Sequence, residues 1–165
     1  MRSALRTERS CSRARLLAAL RSDQYLSLLD DTVRTIETLE PGRAGTALDE
    51  PADKAFRKLR KAVHALPEEP ADEELHKARK VGKRARYAAE LAGRAKFVKR
   101  AKQVQDVLGE HQDAVVAAER LRELAAEAGP GQALAAGRLI EREEKRRADT
   151  RAAWPKAWKK LRKAH

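Results

Sequence analysis

The chain has 165 residues, with 37 Lys and Arg against 25 Asp and Glu, and a formal net charge of +12. That length suits one domain with an ordinary buried core, and the excess charge suits an anionic partner. A lone cysteine, Cys11, excludes an intrachain disulfide, and the run Leu16 to Leu20 is far too short to span a bilayer. These features lead to the expectation of a soluble, cytoplasmic protein with no membrane contact.

Ala, Leu, Arg, Lys and Glu dominate, and aromatic residues make up only 4% of the chain, a composition that predicts an all-α fold. A first helix is expected to end near Leu20. Ser22 is a candidate N-cap for a second, whose residues Leu26, Leu29, Val33 and Ile36 recur at helical spacing before Pro41 and Gly42 end it. After a loop with Gly45 and Asp49, Pro51 opens a third helix with an apolar stripe of Ala55, Phe56, Leu59, Val63 and Leu66.

Pro67 and Pro70 break the chain. Asp72, Glu73 and Glu74 then supply negative charge to the first turn of a fourth helix that stops at Gly93. Its inward residues, Leu75, Ala78, Gly82, Ala85 and Ala89, are small after the first, which predicts close packing. A long helix over 95–128 turns Phe97, Ala101, Val104, Leu108, Val115 and Leu121 inward. A last one starts near Gln132, with a kink or break expected at Pro155. Short connections make these antiparallel neighbours, so the expected architecture is a single antiparallel bundle of four to six helices.

The positive charge is local. Residues 1–53, 54–102, 103–141 and 142–165 carry −1, +10, −4 and +7, which together give +12. Within the second segment, HKARKVGKRAR from His76 to Arg86 has six Lys or Arg and no acid. Like charges at i+4 cost a few tenths of a kcal/mol each, about 0.2–0.5, so an external anion is the expected compensation. On the helix His76, Arg79, Lys80, Lys83, Arg86 and Tyr87 share a face, flanked by Lys77 and Arg84. The preceding helix offers Lys54, Arg57, Lys58 and Lys61, then His64. If the two helices are antiparallel neighbours, their cations line one groove suited to phosphate oxygens. By charge alone, a solvated face with Lys stems over apolar surface explains the run equally well.

The segments ELHKARKVGKRARYAAEL, Glu74 to Leu91, and VKRAKQVQDVLGEHQDAVV, Val98 to Val116, resemble the second half of a CHAD domain, the conserved histidine α-helical domain. The resemblance rests on His76, Arg79, Lys83, Arg84, Arg86 and Tyr87, then on Gln105, Leu108, Gly109 and Asp113, and covers about residues 14 to 163. It implies an all-helical fold and binding of inorganic polyphosphate in a basic channel. A full CHAD domain resembles two four-helix bundles, each with a His-containing basic helix, and only one such helix is found here. Residues 1–20 then read as a connecting helix from a first bundle and 22–163 as one four-helix-type bundle, with a homodimer as one way to complete the missing half.

Mid-helix, Gly109 is read as a point of close helix approach, with Gln105 and Asp113 beside it at i±4. Asp113 either orients an Arg or Lys of the basic helix or is a surface carboxylate. His111 lies off this face and is read as structural. Neither a metal site nor a cofactor is expected: no Gly-rich phosphate loop, HExxH or CxxC occurs, and Glu73 with His76 makes only one Glu-x-x-His where a di-iron bundle needs two. The expected function is non-catalytic polyphosphate binding, at polyphosphate granules or in regulation of phosphate metabolism. The rivals are sequence-independent nucleic-acid binding, disfavoured by the scarcity of aromatic platforms for bases, and an accessory part in a phosphohydrolase.

Overall fold

The computed structural model describes residues 2–38 and 48–164. Among these, six helices and no strand are found: α1 Arg2–Leu20, α2 Asp23–Thr38, α3 Asp49–His64, α4 Asp72–Leu91, α5 Ala95–Ala126 and α6 Pro130–Arg162. They fall into two units, divided between Thr46 and Ala47. Helix α2 is therefore grouped with α1, and the four-helix unit consists of α3 to α6 rather than the span 22–163.

In the amino-terminal unit, Ser22 joins the two helices. Its hydroxyl accepts from the Tyr25 N–H at 3.3 Å and donates to the Ala19 carbonyl at 2.7 Å, the N-cap role its position predicts. The stripe Leu26, Leu29, Val33 and Ile36 is helical as expected but stays 44% to 65% exposed, and α2 buries no residue. Spacing decides which side chains share a face; it does not supply something to cover that face. The expected stop at Pro41 and Gly42, and Gly45 in the following loop, lie outside the described residues.

The four-helix unit follows its sequence closely. Pro51 sits in the first turn of α3, and Phe56 and Leu59 are buried with Ala55, Val63 and Leu66 packed beside them. Phe56 meets Phe97 of α5 edge-on at 5.5 Å between centroids and stacks on Trp158 of α6 at 6.4 Å, tying three helices together. In α4 the whole stripe Leu75, Ala78, Gly82, Ala85 and Ala89 is buried. At its start the Ala71 N–H donates to the Glu74 carboxylate at 2.7 Å. Beyond its end Gly93 takes a left-handed φ of 68°. The next residue, Arg94, caps α5 and pairs back to Asp49 at 2.7 Å and Asp53 at 2.5 Å on α3.

Helix α5 buries Phe97, Ala101, Val104 and Leu108 as expected. Further along, His111, Ala114 and Ala118 are buried, whereas Val115 and Leu121 are only half-buried. In that half His111 Nδ1 lies 3.3 Å from the Arg147 carbonyl and 3.4 Å from the Thr150 hydroxyl of α6, so the covered line follows α6 instead of continuing straight. Gly129 caps α6 and Pro130 opens it, so the GPG run starts the last helix as well as ending the fifth. Helix α6 is continuous through Pro155, and no break occurs. Pro155 lies on the exposed side, while Trp154, Trp158 and Leu161 hold the other side in the core.

A charged node fixes the start of α4. Asp72 accepts from His111 Nε2 at 3.0 Å on α5 and pairs with Arg147 at 2.5 Å and with Arg151, both on α6. Arg151 also donates to the Pro70 carbonyl at 2.8 Å. His111 is 1% exposed, so its side chain is structural, as its position off the basic face implied. Burial alone would push the Asp72 carboxyl up. Hydrogen bonds from Arg147 and Arg151, the charge of Arg147 and the bond from His111 outweigh it and hold the group below its ordinary 3.8.

Two outcomes follow for stability. A methyl added at Gly82 meets nothing closer than Leu59 Cδ1 at 3.7 Å, an ordinary contact, so close approach does not demand glycine there. Gly82→Ala should stabilise the protein by about 0.5–1 kcal/mol through helix propensity, read by urea denaturation. Because the folded Asp72 pKa is depressed, the stability it contributes is complete above the ordinary carboxylate pKa and is lost as pH falls through the folded value. Asp72→Asn should therefore lower stability at pH 7 by about 1–3 kcal/mol and flatten its acid dependence below about pH 4. Unfolding curves collected from neutral to acid pH on both proteins measure this.

Candidate functional site

The cations of α4 point away from its small-residue stripe, and the helix divides them by angle. Arg79 and Arg86 lie at the edge of the core and are half-buried, whereas Lys80, Lys83 and Arg84 are exposed. None of His76, Arg79, Lys80, Lys83 and Arg84 forms an ion pair or hydrogen bond among the described residues. Arg86 differs. It pairs with Glu90 at 3.2 Å, one turn beyond the acid-free run, and its guanidinium lies 4.8 Å from the centre of the Tyr87 ring. Lys83 Nζ is 5.8 Å from the same ring. Tyr87 is thus a 44% exposed platform between two cations.

The seam between α4 and α5 collects donors. His76 Nδ1, Arg79 Nε, Arg86 Nε and Gln105 Nε2 are all buried atoms with no hydrogen-bond partner. Buried polar atoms are normally satisfied; Arg147 Nε in the Asp72 node is a fifth such atom, but four lie along this one seam, where Arg79, Arg86 and Gln105 each have a donor without an acceptor. Gly109 belongs to this seam for a reason the sequence did not reveal. A Cβ there would sit 3.7 Å from both Nε and Nη2 of Arg79. The neighbour across Gly109 is thus the Arg79 side chain rather than another helix backbone, and at 3.7 Å an added methyl would make only an ordinary contact with it. Asp113 is exposed and pairs with no α4 cation among the described residues, so the surface-carboxylate reading describes it.

His76 also borders a recess of about 520 Å³ with Asp72, Glu73, Lys77 and Lys80 of α4 and Gln112, Val115 and Glu119 of α5. Carboxylates from both helices make that end of the seam mixed in charge. The uncompensated stretch runs the other way, through Arg79 and Lys83 toward Gln105.

Helix α3 does not form the second wall of this seam. Lys54 and Lys58 are exposed on its outer side, and Arg57, Lys61 and His64 line a separate recess with Arg60 and with Arg162 of α6. The stacking of Phe56 on Trp158 accounts for this by bringing α6, with its carboxyl end, to that flank of α3. Arg60, not singled out from the sequence, sits at i+3 from Arg57 and i−4 from His64, which was the available signal. The basic α6 segment behaves differently again. Arg142 and Arg146 pair with Glu143, Arg147 with Glu144 and Lys145 with Asp149, so much of its charge is compensated internally.

No helix of the described residues is long and apolar enough to cross a membrane, and no group of three or more His, Cys, Asp or Glu able to hold a metal occurs among them. Two curated relatives, the uncharacterized proteins MT2285 and Rv2226 of Mycobacterium tuberculosis strains CDC 1551 and H37Rv, are each 36% identical over 168 residues. The alignments cover 91% of this chain and 32% of each relative, so the chain spans about a third of the length of the curated relatives it matches. No solved structure matches. The family model of the CHAD domain matches residues 1–122, beginning earlier than the resemblance read from the motifs and ending before α6. That span includes all of α4 with its unpaired cations and the part of α5 from Gln105 to Asp113 that faces them, and the chain belongs to the CHAD domain family.

Proposed function

We propose that the protein binds inorganic polyphosphate, without cleaving it, along the basic side of α4. The observation that carries this reading is the row of buried, unpartnered polar atoms at His76, Arg79, Arg86 and Gln105 beside the ammonium and guanidinium groups of Lys80, Lys83 and Arg84, which have no ion-pair partner among the described residues. A flexible chain of phosphates offers an acceptor oxygen to each in turn, and Arg holds two oxygens at once. Tyr87 is the one aromatic ring on this face and is already occupied by Lys83 and Arg86. It is therefore poorly placed to stack a base, which favours a polymer without bases over a nucleic acid.

In this reading Arg79 and Lys83 carry most of the affinity, and Arg86 contributes after release from Glu90. The site is half of a channel, and a second copy of the chain is one source of the other basic helix. Binding would take place in the cytoplasm, at a polyphosphate granule or beside an enzyme of phosphate metabolism.

Long-chain polyphosphate titrated in competition with duplex and single-stranded DNA at several salt concentrations tests the proposal. Polyphosphate should win at every salt concentration, and changing Arg79 and Lys83 together to Ala should weaken it about tenfold or more, roughly 1.4 kcal/mol. Equal affinity for the three polymers, or full affinity in the double variant, would sink the idea, and release of orthophosphate would show a hydrolase. Gly109→Leu should displace Arg79 from its place over α5 and weaken polyphosphate several-fold, with the helical circular dichroism signal unchanged.

A further inference from the structure

Helix α2 presents Leu26, Leu29, Val33 and Ile36 at steps of three and four residues, the spacing of a coiled-coil seam, and all four are exposed. One edge of that stripe is a row of carboxylates, Asp23, Asp30 and Glu37, which recur every seven residues and so share one heptad position. Arg34, the cation nearest that row, is taken by Asp31 at 3.6 Å. Helix α1 has the same design with the opposite sign. Leu5, Leu16 and Leu20 fall on one side of it, exposed, with Arg6, Arg9 and Arg13 in a row beside them and Glu8 across the stripe. None of the three carboxylates and none of the three guanidinium groups has an ion-pair or hydrogen-bond partner among the described residues. A helix such as α2, which buries no residue, is marginal by itself, because most helical stability in proteins comes from packing an apolar face.

We infer that the α1 and α2 unit pairs with the same unit of a second copy of the chain, α2 of each copy lying on α1 of the other. Apolar stripe then covers apolar stripe, and the carboxylate row runs along the arginine row. Charge selects this occupant. Two α2 helices side by side have only carboxylates to offer along that edge, and two α1 helices only guanidinium groups, whereas α1 on α2 pairs opposite signs. The lengths agree as well: at 1.5 Å per residue, α1 is roughly 28 Å long and α2 roughly 24 Å. A two-fold axis makes the same contact twice, so both stripes of both copies are covered at once. An anionic lipid surface is the other common cover for an exposed amphipathic helix, and it repels the row Asp23, Asp30 and Glu37. The inference uses no residue of α4 and stands whether or not that helix binds polyphosphate.

Sedimentation equilibrium of the full chain at several concentrations provides the test. The chain should be a dimer that dissociates on dilution. Leu29→Glu with Val33→Glu should leave a monomer whose tryptophan fluorescence, which reports the core around Trp158, is unchanged. Reversing one row at a time separates association between copies from packing within one. Arg9→Glu with Arg13→Glu in one chain, and Asp30→Arg with Glu37→Arg in another, should each weaken the dimer about tenfold or more. An equal mixture of these two chains should dimerise again, because each reversed row finds its opposite only in the other chain. A parent chain that stays monomeric at every concentration, a dimer that survives the Leu29 and Val33 changes, or a mixture that stays monomeric would overturn the inference. Recovery of thermal stability without dimerisation, when both rows are reversed in one chain, would show instead that the stripes are covered within a single copy.

Discussion

The Asp72 carboxylate is the contact on which the rest of the four-helix unit is arranged. It sits in the first turn of α4 and binds His111 of α5 together with Arg147 and Arg151 of α6. A carboxylate this enclosed is tolerable only because three donors replace its water. That requirement pins the beginning of α4 to both neighbours and sets the level at which α4 lies along α5. From that level Arg79 arrives over Gly109, and the donors of His76, Arg86 and Gln105 fall in one seam. Asp72 and Arg79 are two turns apart on nearly the same side of α4, one satisfied inside the protein and one not.

The contrast between paired and unpaired cations separates binding surface from scaffold. Charge content alone ranks residues 54–102 and 142–165 together, at +10 and +7. In the structure the second of these finds acids within a turn of itself and across on α4, through Glu143, Glu144, Asp149 and Asp72. The cations of α4 from Lys77 to Arg84 find none, because Glu90 near its carboxyl end is taken by Arg86 and the other acids of that helix, Asp72, Glu73 and Glu74, are all at its amino end. Those acids favour the helix through its macrodipole and leave the middle exposed to mutual repulsion. A helix built this way is stable enough to fold and is still short of negative charge where it meets solvent.

Much of the four-helix unit was legible beforehand. The buried stripe of α4, the Pro51 start of α3 and the inward residues of the first half of α5, like the cap at Ser22 in the amino-terminal unit, are all local patterns, governed by spacing and backbone chemistry. The misreadings share a cause. Val115 and Leu121 continue a straight stripe that the packing of α6 redirects. Pro155 breaks a helix only if its neighbours cannot hold it, and Trp154, Trp158 and Leu161 do. The role of Gly109 depends on a side chain thirty residues earlier, and the grouping of Arg57 with Arg162 depends on a ring stack between helices. Each is a long-range contact with no signature in the surrounding residues.

The amino-acid sequence by itself determined an all-helical CHAD chain, the limits of most of its helices and the identity of the cationic face, because these follow from periodicity, capping and the acid-free run His76 to Arg86. Only the tertiary structure decided which cations act together. It gave Arg79 a place against α5, paired Arg86 with Glu90, and turned Arg57 and Lys61 toward α6 instead of α4. The physical reason is that helical spacing specifies the angle of a side chain about its own axis, whereas the neighbour it meets depends on how the cores of separate helices interlock.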